Sequence, residues 1–441
     1  MDKDKLWIDL KPLLSLVLLF LFMEASGQEP KGEVKYGISF TGFVKTDYFF
    51  DSRENYTIRE GHFLLFPKEK SFDADGKDIN DKSSFNFLSI QTRLTGNIKG
   101  PDAFGAKTSG VVEADFFGNE NAAFVDNNGF RLRHAFVKLN WERTEIIAGQ
   151  TWHPFFISSC FSGVISFNTG APFQPFSRNP QFRIQQRLGR FSVAGALSAQ
   201  RDFTSPQGSS ALRYATLPNM SALLYYTVQN AEQQQGLLAG LGADYKVLQP
   251  LLTTSKGIQT YATDEKVKGL SFTAFAKYEN PIFTYKLQAI YGQNLFDMIM
   301  LGGYAVHAIT DTSKNTVSYT TLNSFTAWTE FHTNGPKVQI GLWAGYSQNL
   351  GAKDAIIYYS NRVGGADVTS RGANMKFAYR VSPRILFKSG KLNFATELEY
   401  TAAAYATKDD SGNLSRNEYG VVTDFETLVN IRLLFSVIYN F

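Results

Sequence analysis

Val429-Asn430-Ile431-Arg432-Leu433-Leu434-Phe435-Ser436-Val437-Ile438-Tyr439-Asn440-Phe441 closes the chain. Every odd position in it is apolar or aromatic, while the even positions include Asn430, Arg432, Ser436 and Asn440. Strict period two is the signature of a strand with two unlike faces. A strand kept amphipathic to its last residue is out of place in a soluble domain, where termini fray. It suits a wall with lipid on one side and polar groups on the other.

The same rhythm fills the chain upstream. Strands are expected near 34–48, 88–98, 108–118, 130–141, 145–153, 180–188, 190–200, 220–229, 236–248, 267–279, 283–294, 319–332, 337–349, 373–386, 391–405 and 423–441. Phe283, Tyr285, Leu287, Ala289 and Tyr291 oppose Thr284, Lys286 and Gln288. Val338, Ile340, Leu342, Ala344 and Tyr346 oppose Gln339, Gly341 and Gly345. Tight-turn residues join some neighbours: Gly100-Pro101-Asp102, Asn280-Pro281, Asn334-Gly335-Pro336 and Ser389-Gly390. Long polar stretches alternate with them at 51–83, 202–218, 249–266, 295–318, 350–372 and 406–422. Lipid offers no hydrogen-bond partners, so half-apolar strands must close into a ring to satisfy their backbones. A propeller would show a repeat of about 40–50 residues, and none recurs. The fold class expected is all-β: a transmembrane antiparallel β-barrel of about sixteen strands, with both termini on the side of the short turns.

Lys3, Lys5 and Lys11, the apolar run Leu13 to Met23 and Ala25-Ser26-Gly27 read as an export signal over residues 1–27. The barrel would occupy 28–441, leaving no room for an N-terminal plug domain. No later segment approaches the 18 or so apolar residues of a membrane helix. The 21 Tyr and 38 Phe suit strands and interfacial girdles. Net charge is only +4, which argues against a nucleic-acid partner. The single cysteine, Cys160, excludes an internal disulfide and sits among apolar neighbours as an inert thiol.

The stretch from Pro154 to Arg178 is rich in Phe, Gly and Ser and nearly uncharged. An apolar loop of that length is expected to fold inward as a constriction rather than face water; the alternative is a loop that caps the barrel mouth or packs against a subunit. Around it stand Phe130-Arg131-Leu132-Arg133-His134-Ala135-Phe136-Val137, Ala148-Gly149-Gln150-Thr151-Trp152 and Arg178-Asn179-Pro180-Gln181-Phe182-Arg183-Ile184-Gln185. These segments, about residues 130–190, resemble the DcaP-like porins, and the rest of the chain resembles them in strand rhythm and length. The terminal Phe with an aromatic residue two places before it resembles the C-terminal signal of bacterial outer-membrane proteins. The resemblance implies a homotrimer of sixteen-stranded channels for small, often anionic, organic solutes. Its partners would be outer-membrane lipid and lipopolysaccharide and, through the last strand, the barrel-assembly machinery. No cofactor is implied.

Candidate pore-lining residues cluster near that loop. Arg93, Arg183 and Arg187 fall on the polar faces of their strands, Arg178 ends the loop, and Glu113 and Asp115 would set a transverse field opposite them. Arg131 and Arg133 share parity with outward-facing Ala135 and Val137. Either a β-bulge turns them inward or they lie in a subunit contact. Lys138 and His134 carry the inward parity. Asp73, Asp75 and Asp78 form an acidic loop with a weak likeness to calcium ligands, but the distal Glu is missing. His62, His134, His153, His307 and His332 sit in no catalytic motif, so an enzyme is not expected. The reading is a passive porin in a Gram-negative outer membrane. The alternatives are a surface-binding adhesin, a rim enzyme or a channel for hydrophobic substrates.

Overall fold

The computed structural model describes residues 37–117, 129–357 and 370–441. The expected export signal, 1–27, lies outside these.

Sixteen antiparallel strands form one closed wall. They are β1 (Gly37–Asp51), β2 (Ser84–Leu88, resumed at Arg93–Lys99), β3 (Lys107–Asp115), β4 (Arg131–Asn140), β5 (Thr144–Trp152), β6 (Arg178–Leu188), β7 (Phe191–Ser198), β8 (Asn219–Asn230), β9 (Gln235–Leu248), β10 (Val267–Glu279), β11 (Phe283–Gln293), β12 (Thr316–Thr333), β13 (Val338–Ala352), β14 (Met375–Ser389), β15 (Leu392–Ala406) and β16 (Phe425–Asn440). Each pairs with its neighbours in sequence. The ring closes where β1 meets β2 on one edge (Ile38↔Ile98, Tyr48↔Phe87) and β16 on the other (Phe43↔Asn440, Asp51↔Arg432). Closure gives each of the sixteen wall strands a partner on both sides, as a membrane demands.

The period-two expectation places the faces correctly. Ile431, Leu433, Phe435, Tyr439 and Phe441 point outward and are exposed, while Asn430, Arg432 and Ser436 are buried inside. Phe40, Val112, Val137, Ile184, Leu241 and Ile340 continue the outward apolar surface around the wall. Short turns join strands at one end, including 141–143, 189–190 and 390–391. Long loops leave from the other.

Two features depart from the simple pattern. The second strand breaks at residues 89–92, where the chain turns inward: Lys45 Nζ donates to Gln91 Oε1 at 2.7 Å, and the Lys45 backbone N–H to Thr92 Oγ1 at 3.2 Å. Beyond the wall, Gly302–Asp311 pairs with the far half of β12, lengthening that side of the rim.

The apolar core sits inside the ring. Phe63 and Phe66 reach it from the β1–β2 loop, where Asn55–Ile58 pairs with Phe63–Pro67. Phe167, Phe173 and Phe176 come from the β5–β6 loop, and Trp328, Trp343 and Tyr405 from the wall. Two loops cover part of the polar inward faces and pack against each other, with Phe63 and Phe176 ring centroids 4.9 Å apart.

Candidate functional site

The β5–β6 loop, residues 153–177, crosses the interior and is held by charged side chains of the opposite wall. It contains no Asp, Glu, Lys or Arg, and its buried main-chain polar groups need partners once water is excluded. The wall supplies them with matching sign. Lys286 of β11 donates to Phe161 O at 3.0 Å. Glu330 of β12 accepts from Gly163 N at 2.6 Å and is gripped by Arg384 at 2.6 Å. Glu397 of β15 accepts the Ile165 N–H, while Lys45 of β1 donates to Ile165 O at 2.6 Å. Glu399 accepts from Asn168 Nδ2 at 2.6 Å. A Cβ at Gly163 would lie 2.6 Å from Glu330 Oε1 and 2.9 Å from Arg384 Nη2, so a side chain there would have to push that ion pair aside. None of these wall charges was singled out in the sequence, because parity tells which way a side chain points and not what it meets.

The predicted arginines separate into two groups. Arg131 and Arg133 face inward, and the register between β3 and β4 says why. Glu113 pairs with His134 and Ala114 with Leu132, leaving Arg133 as the extra residue of a bulge. Arg131 grips Asp115 with two hydrogen bonds, 3.0 and 2.8 Å, and Arg133 bridges Glu113 at 2.7 Å and Asp115 at 2.8 Å. Arg178 pairs with Asp202 at 2.6 Å and lies over the Trp152 ring at 4.9 Å. Arg93 reaches Glu113 at 3.5 Å and covers Phe43. Arg133 and Arg178 are 2% and 1% exposed. This cluster is a packed ion-pair network, its guanidinium groups spent on acids and aromatic rings. Lys138 likewise pairs with Glu145 across β4 and β5.

Arg183 is placed differently. It lines a cavity of about 380 Å³ between the β5–β6 loop and strands β6 to β10, with Gln185, Tyr225, Thr227, Lys277 and Glu279. Ser158 and Ser159 of the loop form its other side. Lys277 and Glu279 pair with each other. Arg183 has no ion-pair partner among the described residues, so it carries the uncompensated charge of this cavity. Arg187, four residues on, is exposed near the short turns and donates to Glu142 O at 2.7 Å.

The acidic loop at 73–81 spends its oxygens on its own turn. Asp73 Oδ1 accepts the N–H groups of Asp75 and Lys77, and Asp78 accepts from Arg53 at 2.7 Å and from the Ser71 and Asn80 amides. Burial alone would raise the Asp78 pKa, but those two amides and the Arg53 guanidinium hold it below the usual carboxylate range. Asp75 contributes no carboxylate to this knot. Among the described residues no group of three or more His, Cys, Asp or Glu is arranged to hold a metal.

Two histidines meet an acid that also holds a serine: His62 lies 3.1 Å from Asp47, to which the Ser436 hydroxyl donates, and His153 is the second. His153 lies 3.4 Å from Asp244, but the Ser221 hydroxyl donates to Asp244 at 2.6 Å. The serine hydroxyl thus points at the acid and not at His153, and the nucleophile–base contact of a hydrolase is missing from this group.

No family model matches the chain, and no curated protein matches it. Among solved structures the chain is similar to the outer membrane channel DcaP of Acinetobacter baumannii, at 16% identity and a TM-score of 0.62, over 94% of this chain and 100% of that one. It is also similar to OmpT, an outer membrane protein of Vibrio cholerae, at 10% identity and a TM-score of 0.51, over 94% and 100% of the two chains. A trimer form of OmpT aligns at 9% identity and a TM-score of 0.50, over 92% and 100%. At these identities the likeness is one of fold, that of an outer-membrane β-barrel.

Proposed function

We propose that this protein is an outer-membrane porin: a passive channel for small hydrophilic solutes, with a preference for anions. The observation that carries the reading is the lone Arg183 guanidinium in the free space beside the β5–β6 loop. A fixed positive charge in a narrow aqueous passage raises the local concentration of anions and lowers that of cations. The β5–β6 loop acts as the constriction. Solute runs between it and the wall of β6 to β10, where serine, threonine and glutamine side chains replace part of the hydration shell. Glu113, Asp115, Arg131, Arg133 and Arg178 hold the wall behind that route, and Arg93 stands at its edge.

On this reading residues 1–27 direct export and 28–441 form the barrel. The short turns and both termini face the periplasm, and the long loops face the cell exterior. The outward apolar band meets lipid, with lipopolysaccharide around the loop end. The last strand serves as the recognition segment for barrel assembly. A homotrimer is supported by the trimer form of the OmpT barrel that shares this fold.

The test is single-channel recording of the purified protein in a planar bilayer under a salt gradient. Stepwise openings in groups of three with an anion-selective reversal potential support the proposal. Silence from folded, inserted protein would overturn it. The apolar core inside the ring would then favour the second reading, a plugged barrel whose long loops bind a partner, or a path for apolar substrates.

A further inference from the structure

Arg380 of β14 points inward and is 1% exposed. An arginine has five N–H donors in a fixed plane, and here they are spread over three parts of the molecule. Nε donates to Thr401 Oγ1 of the neighbouring strand at 2.8 Å. Nη1 donates to Ala171 O of the β5–β6 loop at 3.0 Å and lies 3.4 Å from Glu399. Nη2 donates to Leu64 O and Leu65 O of the β1–β2 loop, each at 2.9 Å. The face of the group covers the Phe173 ring at 5.5 Å. One side chain therefore ties two loops, more than 100 residues apart in sequence, to the same point of the wall.

The surroundings repeat the pattern. Arg432 donates to Gly61 O at 2.8 Å, and Tyr405 to Pro67 O at 2.6 Å. Phe63 packs edge-on against Phe167 and Phe176. The β1–β2 loop enters the interior between wall arginines and the β5–β6 loop, and its carbonyl groups face donors throughout.

We infer that Arg380 is the positioning residue that fixes the β1–β2 and β5–β6 loops as a single body, so that neither shifts without the other. Lysine in its place would offer one compact ammonium, which cannot serve Thr401, Ala171 and Leu64 together. Glu330, by contrast, anchors only the β5–β6 loop, at Gly163.

Two probes follow the two loops. Cys160, the single cysteine, is buried on the β5–β6 loop, and its alkylation by a maleimide reports that loop. Chymotryptic cleavage after Phe63, Leu64 or Leu65 reports the other. In Arg380→Lys protein, folded as judged by heat-modifiable migration, both rates should rise by about tenfold or more, the effect of losing a charge-assisted hydrogen bond. Glu330→Gln should raise Cys160 alkylation while leaving 63–65 protected. Release of only one loop in Arg380→Lys, release of neither, or release of both in Glu330→Gln would overturn the inference. Hydrogen exchange of the unmodified protein decides the matter independently of any variant. Amides of 61–67 and 168–176 should share one protection level, and a gap of more than about tenfold, some 1.4 kcal/mol, would overturn it. Channel aperture should widen in Arg380→Lys, a consequence that rests on the porin reading. A silent wild-type bilayer would remove that reading and leave the labelling and exchange results to judge the loops.

Discussion

Replacing Arg183 by glutamine removes the one charge in the lumen cavity that no acid offsets. The side chain keeps a polar end and loses a unit of charge, while Lys277 and Glu279 remain a neutral pair across the same space. An ion passing at about 4 Å in water feels a unit charge by about 1 kcal/mol. A free energy of about 1.4 kcal/mol is a factor of ten, so losing the charge lowers anion entry about fivefold and raises cation entry about fivefold, and the anion-to-cation permeability ratio should fall roughly 25-fold. The effect has a salt signature. At about 0.1 M the screening length is about 10 Å, and at about 1 M only about 3 Å. Reversal potentials measured across the same concentration ratio should therefore differ between wild type and Arg183→Gln at low salt and converge at high salt. Arg133→Gln is the contrast. Its guanidinium is engaged with Glu113 and Asp115, so selectivity should hold while stability drops. Unchanged reversal potential in Arg183→Gln, or a larger change in Arg133→Gln than in Arg183→Gln, would refute the assignment of selectivity to Arg183.

Asp115→Asn should lower the unfolding free energy by about 3–5 kcal/mol in a urea titration, because the buried Arg133 and the half-buried Arg131 lose their shared acceptor. Gly149→Ala should be among the most damaging small substitutions: its φ is +131°, and a Cβ would lie 2.3 Å from Ala135 O, so folded yield on heat-modifiable gels should collapse. The outer turn of the β1–β2 loop should respond to acid. Asp78 has a folded pKa below the unfolded value of about 3.9, so its contribution is present above that pH and is lost as pH falls through the lower folded value. Hydrogen exchange at residues 71–80 should accelerate only below about pH 4, and Asp78→Asn should show the fast rate at neutral pH.

The wall was legible because period two is a local signal. Each strand announces its two faces, and tight-turn residues such as Asn280-Pro281 announce reversals, so strand number and alternating loop lengths follow from residues near one another. The β5–β6 loop was legible for a different reason: a long uncharged segment has to leave water. The β1–β2 loop was not. Its buried Phe63-Leu64-Leu65-Phe66 is flanked by Arg59, Glu60, Lys68 and Glu69, so the segment reads as polar on average and hides a short apolar insert. The role of the arginines escaped because polarity and parity do not distinguish a charge facing solute from one facing a carboxylate. Parity sets Arg183 inward and Arg133 outward; the bulge opposite Glu113 turns Arg133 inward onto its acids, while Arg183 is left facing the cavity.

The seam between β1 and β16 bears on how the protein is made. Arg432 grips Asp51 with hydrogen bonds of 2.9 and 2.7 Å across 381 positions of sequence, and Ser436 meets Asp47 in the same register. Both acids come early from the ribosome and wait for partners that arrive last. Until then Asp51 lacks the Arg432 guanidinium, although Asp47 already has Lys45 of its own strand at 3.2 Å, and β1 keeps one unpaired edge, a state prone to wrong association. Contacts so remote in sequence form slowly. The cylinder should consequently mature in one late, concerted event, and a chain cut short before Ile431 should accumulate as an unfinished sheet in need of a chaperone.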